Sequence, residues 1–276
     1  MATRSHGGTK TGGRSGAGEA RTDEIPDLTD QVALIEHRAP LRAPHAAGGD
    51  VHRALFESAL HQLGADIRES MATQVADPEL SALCYDPVSR VVRRLLDNPR
   101  FGLVHARLVA AHHGNAAGLD ALGARGVIVG DGEVQRLLLR NPQTPIHLLR
   151  RILSHRRCLD IWNVCQSHEV TDRNKGTARE CLRSRFAQCS PEEKVDLVLR
   201  SEGRALSALA GLPLDGKATA LLCRQTYQSS LLIRNIAQWG PTPPSLLAHL
   251  LKQTLVRQSP ELRALIKRHP NCPAAN

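Results

Sequence analysis

A chain of 276 residues with 41% hydrophobic content is long enough to bury a sizeable core, but only 3% of it is aromatic, so leucine and alanine must do the packing. The net charge of +9 and pI near 9.6 point to an acidic partner: nucleic acid, an anionic membrane surface or an acidic protein. No apolar run approaches the ~18 residues of a membrane span and no hydrophobic stretch follows Met1, which argues against insertion or secretion, and seven cysteines without a CxxC spacing predict reduced thiols in the cytoplasm.

Residues 1–25 read as a disordered basic tail, rich in Gly, Ser and Thr, with Arg4, Lys10, Arg14 and Arg21 against Glu19. Residues 26–85 read as an N-terminal helical cap. A short apolar helix is expected at 32–35, among Pro26, Pro40 and Pro44. A longer amphipathic helix follows at 50–72, with Asp50 as its cap and Leu55, Leu60, Leu63 and Ile67 along one face. From residue 86 to 276 helical repeats are expected. Within them, the six glycines of 114–132 predict an irregular insertion, and the polar stretch 166–177 predicts a loop.

Three segments line up without a gap, starting at Val134, Ile233 and Leu262. Each carries apolar residues at helical spacing: Val134, Leu137 and Leu138; Ile233, Ile236 and Ala237; Leu262, Leu265 and Ile266. Each then meets a proline (Pro142, Pro241, Pro270), which lacks an amide donor and pushes the residue before it out of helical geometry. A second proline three residues on (Pro145, Pro244, Pro273) suits the first position of a new helix. Weaker copies stand around Pro99, Gln188 and Pro213. At Ser190-Pro191-Glu192-Glu193 a capping box is expected, with Ser190 as cap and Glu193 returning to the cap amide. The six turns fall at 99, 142, 188, 213, 241 and 270, so two of the five steps are long and imply an insertion or an extra helix. Units of this kind bury their apolar faces only by stacking. The fold class is therefore all-α, a right-handed α-solenoid of stacked helix pairs with proline turns.

The pattern Asn141-Pro142-Gln143-Thr144-Pro145 followed by Leu148-Leu149, with His269-Pro270-Asn271-Cys272-Pro273, resembles the leucine-rich repeat variant, a member of the HEAT–armadillo class of helical repeats. That resemblance covers about residues 86–273 and implies a curved binding scaffold. The iron–sulfur cluster of the described prototype is not implied, because no cysteine precedes Cys84. No cofactor is expected.

Candidate chemistry is sparse. No phosphate-cradling glycine loop, GxSxG elbow or HExxH pair occurs, so neither a catalytic residue nor an enzymatic activity is expected. For His105, His112 and His113 the next carboxylate along the chain, Asp120, lies beyond Gly118 and no cysteine is near; Cys158, Cys165, Cys181 and Cys189 could converge, but their spacing matches no zinc motif and they read as small buried helix residues, so no metal site is expected. Trp162 and Trp239 read as packing residues. The candidate binding residues are Arg136, Arg140, Arg150, Arg151 and Arg157, with Arg150 and Arg157 expected near one helical face. Their competing reading, ordinary solvated faces with Asp and Glu partners, carries more weight because no run of five or six arginines exists. The function expected is a non-enzymatic scaffold for an acidic or extended protein segment. The alternative is a nucleic-acid-binding repeat using an arginine-rich concave face, although scarce aromatics disfavour single strands. The last unit is expected to leave Leu262, Leu265 and Ile266 open to an end-to-end contact between two chains.

Overall fold

The computed structural model describes residues 48–273, with side chains from Val51 onward. The tail 1–25 and the helix expected at 32–35 lie outside the described residues. Every described element is helical: α1 (Gly48–Ser58), α2 (Ala65–Ala72), α3 (Glu79–Leu83), α4 (Ser89–Leu95), α5 (Leu103–His112), α6 (Ala116–Gly123), α7 (Gly126–Val129), α8 (Gly132–Arg140), α9 (Ile146–Ser154), α10 (Cys158–Gln166), α11 (Asp172–Gln188), α12 (Pro191–Arg200), α13 (Gly216–Leu222), α14 (Ser230–Gln238), α15 (Pro244–Leu251), α16 (Thr254–Gln258) and α17 (Pro260–Lys267), with 3-10 segments at Leu60–Gln62 and Arg204–Leu209. No described helix is long and apolar enough to cross a membrane.

Polar caps start many of these helices. The side chains of Asn115, Asp131, Thr171, Ser190, Asp215, Ser229 and Ser259 each accept a first-turn amide, satisfying donors that would otherwise be orphaned. Packing then runs from unit to unit: α1 on α3, α2 on α4, α4 on α6, α5 on α8, α9 on α11, α13 on α15, and α14 on α17. Buried faces follow the repeated pattern closely in α14, where Leu232, Ile233, Ile236 and Ala237 are inside; in α8 the core side is Val134, Leu138 and Leu139, and Leu137 is half-exposed.

The residue before the turn proline joins consecutive units. Asn141 Nδ2 donates to the carbonyls of Ala110 and His113 at 3.0 Å each, while Oδ1 accepts the Gln143 amide at 2.9 Å. Asn98 does the same one unit earlier, with Nδ2 on Ala72 and Val75 and Oδ1 on the Arg100 amide. At the third such turn His269 takes the role: Nδ1 accepts the Asn271 amide at 3.0 Å, so Nε2 holds the proton and donates to the Trp239 carbonyl at 3.0 Å. The carbonyls reached include those at the C-terminal ends of helices, which have no partner within their own helix. In the turn at Pro241 the preceding residue, Gly240, has no side chain. There the Trp239 indole, itself buried, donates to the Leu209 carbonyl instead.

Several expectations need correction. Residues 50–72 are not one helix: the chain breaks after α1, so that both Phe56 and Leu60 are buried, and Gly64 in extended backbone starts α2. The glycine-rich stretch 114–132 is mostly helical, because Asn115 caps α6 and Leu119, Leu122 and Val129 enter the core. Only 167–171 of the expected loop is non-helical, since Thr171 caps α11. The extra helix implied by the step from 142 to 188 is present, as three helices (α9, α10, α11) occupy it. The capping box at Ser190 is half-formed: Glu193 turns away from the cap and accepts the Cys158 amide at 2.8 Å. Leu262 and Ile266 are buried against the chain's own helices and only Leu265 is half-exposed, so the apolar face expected for an end-to-end dimer is already covered.

Gly118 shows why a glycine is required inside α6. A β-carbon there would lie 2.0 Å from His113 Nε2, and the His113 ring is 1% exposed and held by the Asp86 carbonyl at 3.0 Å. Gly118→Ala is expected to destabilise by about 2 kcal/mol through overpacking. Gly176→Ala in α11, where a β-carbon meets nothing within 4 Å, should stabilise by about 0.5–1 kcal/mol. Urea melts of the two variants check the pair; equal effects would contradict the assigned contact.

Candidate functional site

The structure brings two of the five candidate arginines together and separates the other three. Arg136 and Arg140 lie one turn apart on α8 and, with Arg156, Asp160 and Asn163, line an open groove of about 350 Å³. These cations are already engaged. Arg136 pairs with Glu133 and holds its carboxyl below the usual carboxylate range; Arg140 pairs with Glu169; Arg156 donates to Gln135 Oε1 at 2.9 Å. Arg150 sits on α9 and reaches Glu180 of α11 at 3.0 Å, whereas Arg151 donates to the Gly123 carbonyl. Arg157 is the cap residue of α10, 3.9 Å from Asp196. Arg150 and Arg157 therefore share no helical face, because α9 ends at Ser154 between them.

These pairs belong to a wider pattern along the first two-thirds of the chain. Arg90 meets Asp66 at 2.6 Å, Arg94 meets Glu69 at 3.4 Å, Arg107 meets Asp131 at 2.9 Å, Arg125 meets Asp97 at 2.5 Å and His147 meets Asp120 at 2.6 Å. Each links helices about one unit apart. The exposed Arg–carboxylate pairs add at most ~1 kcal/mol each, but they cancel one another's field. The arginine density that suggests a stripe is thus matched by acids one unit away.

The C-terminal part is different. Residues 1–47 hold six Lys/Arg against six Asp/Glu, while residues 216–276 hold eight against one, so seven of the nine net positive charges fall there. Lys217, Arg224, Arg234, Lys252, Arg257, Arg263, Lys267 and Arg268 are all exposed, and the one acid, Glu261, reaches Arg234 only at 3.8 Å. Packing gathers several of them. Arg263 donates to the Arg257 carbonyl, and a 2.9 Å bond from His249 Nε2 to the Gln225 carbonyl ties the ends of α15 and α13, next to Lys252 and Arg224. Like charges gathered with so few acids raise a positive potential over the surface.

A second open groove of about 490 Å³ lies against α14, the helix that carries Arg234; it is lined by Gly203, Leu206, Ala210, Trp239 and Pro241, with Asn235 and Arg204, which pairs with Glu202 at 3.2 Å, on its walls. Its shape depends on Gly203, whose φ of +71° is left-handed and whose added β-carbon would stand 2.8 Å from Asn235 Cβ. A basic surface beside a partly apolar groove suits a chain segment carrying both acidic and apolar side chains. Reading arginine density alone misses this region; the visible signal is the single acid after Asp215.

The histidines do not converge. His105 Nε2 contacts the Asp77 carboxylate at 3.2 Å, His113 Nδ1 meets the Asp86 carbonyl, and His112 stacks on Tyr85 with ring centroids 4.9 Å apart. Burial lowers the pKa of both His112 and His113, which favours their neutral form. Trp162 and Trp239 are buried. Compared with known protein families, curated proteins and solved structures, the chain matches none.

Proposed function

We propose that the chain is a non-enzymatic helical-repeat scaffold whose basic C-terminal surface docks an acidic, extended protein segment. Its architecture is a right-handed α-solenoid of the kind found in the leucine-rich repeat variant and HEAT–armadillo class. Support for the solenoid comes from the unit-to-unit packing and the recurring Asn/His bridges between turns. The observation that carries the function is the nearly acid-free surface from Lys217 to Arg268 beside the groove at Trp239. Seven free thiols fit a cytoplasmic location.

The nucleic-acid reading draws on the same surface, because phosphates need unpaired cations. The groove favours the peptide, since apolar side chains gain from Leu206 and Pro241 and a phosphate backbone does not. A labelled Glu- and Leu-rich peptide, titrated by fluorescence anisotropy, should bind with an affinity that falls as salt rises. Changing Lys252, Arg257 and Arg263 to Gln should weaken it about tenfold, at about 0.5 kcal/mol per charge. Tight binding of duplex DNA at physiological salt, with no peptide binding, would replace this reading by the nucleic-acid one.

A further inference from the structure

We propose that Cys158 and Cys189 form a redox-active dithiol that a hydroperoxide converts to a disulfide, joining the start of α10 to the end of α11. Two of the four cysteines read from the sequence as small buried helix residues converge. Their sulfurs lie 3.6 Å apart, Cys158 fully buried as the first residue of α10 and Cys189 8% exposed as the residue that ends α11.

The surroundings favour an anionic sulfur. Ligand atoms of Cys158, Cys189 and Glu193 fall within 4.8 Å of one another, a spacing that a metal ion could also use. Both Glu193 oxygens are occupied, however: Oε1 accepts the Cys158 amide at 2.8 Å and Oε2 accepts Arg185 Nη2 at 3.1 Å. Arg185 Nε is buried beside them without a hydrogen-bond partner, and Lys194 is buried, with its ammonium 2.8 Å from Asp215. Arg185 and Lys194, each paired to a carboxylate, are the cations nearest the pair and favour a thiolate at Cys189. The hydrogen bond from Cys158, helped by Lys194 and Arg185, draws the Cys189 thiol below its ordinary pKa, while that same bond and burial push Cys158 up. Burial pushes Cys84, Cys165, Cys181 and Cys223 up as well.

The chemistry follows from this asymmetry. Cys189 gives its proton to solvent and the thiolate attacks the terminal oxygen of the hydroperoxide; the O–O bond breaks, a sulfenic acid forms on Cys189, and the leaving alkoxide takes a proton from solvent to depart as an alcohol (water, for hydrogen peroxide). Cys158 Sγ attacks Cys189 Sγ, and the S–S bond forms as the S–O bond breaks. The departing hydroxide takes the Cys158 proton and leaves as water, so two thiols and one hydroperoxide give one disulfide, one alcohol and one water.

The test is native full-length chain treated with a stoichiometric amount of hydrogen peroxide, then denatured, alkylated and mapped by mass spectrometry. The expected result is loss of two of the seven alkylatable thiols and a peptide pair linked through Cys158 and Cys189, restored by a dithiol reductant. In Cys158→Ser the sulfenic acid on Cys189 should persist and be trapped by a cyclic diketone. Oxidation confined to other cysteines, or one equivalent of bound zinc that protects both thiols, would overturn the proposal. It stands independently of the peptide-docking surface.

Discussion

Replacing Asp86 by alanine should lower the unfolding free energy by about 3–5 kcal/mol, among the largest single effects expected in this chain. Its side chain is 0% exposed, and its carboxylate grips Arg68 in a fork, Oδ2 to Nε at 2.6 Å and Oδ1 to Nη2 at 3.4 Å. Arg68 is equally inaccessible, 5.8 Å over the Phe56 ring, with its third nitrogen on the Leu63 carbonyl. Asp86 Oδ1 also accepts the Val88 amide at 2.8 Å at the entrance to α4. Deleting the carboxylate strands a guanidinium where water does not reach, and that desolvation dominates the loss. The double variant Arg68→Met/Asp86→Leu should recover most of the stability, because apolar groups of similar volume need no partner. Urea unfolding of the three proteins measures the coupling; an Asp86→Ala loss under ~1 kcal/mol would contradict a buried pair. This pair also spans residues 85 and 86, where repeats were expected to begin.

Asn141→Ala should cost about 3 kcal/mol, for a different reason. The substitution removes two donors from the carbonyls of Ala110 and His113 and leaves them buried without a partner. It also frees the Gln143 amide and loosens the turn, whose Asn141 carbonyl in turn accepts Asn174 Nδ2 at 3.0 Å. Asn271 makes the matching bonds to Gly240 and Thr242, but it is exposed, so water replaces the lost partner and Asn271→Ala should cost under ~1 kcal/mol. The ratio of the two losses in thermal or urea melts is the readout. Equal losses would mean that the bridge at Asn141 is not what holds adjacent units.

The turns at Pro142, Pro241 and Pro270 were legible because proline acts locally: it stops a helix whatever surrounds it. The residue beside it was visible only as a pattern letter. What Asn98, Asn141 and His269 do depends on carbonyls about 23–31 residues back, and no local rule names them. Gly118 misled for a related reason, since glycine marks both chain breaks and close packing, and only the position of His113 separates the two. Arg150 has the kind of acid partner that the solvated-face reading expected, but that partner is Glu180 of α11, 30 residues away, which no local rule names. The acid-poor C-terminal surface, in contrast, could have been counted. It needed attention to which charges were missing.

Hydrogen–deuterium exchange on the full-length chain, with and without the Glu- and Leu-rich peptide, tests the docking surface most directly. The account predicts added protection in the peptides spanning 203–211 and 224–268, and none in 134–157. Protection confined to 134–157, around Arg136, Arg140 and Arg150, would contradict it and return the site to the paired arginines.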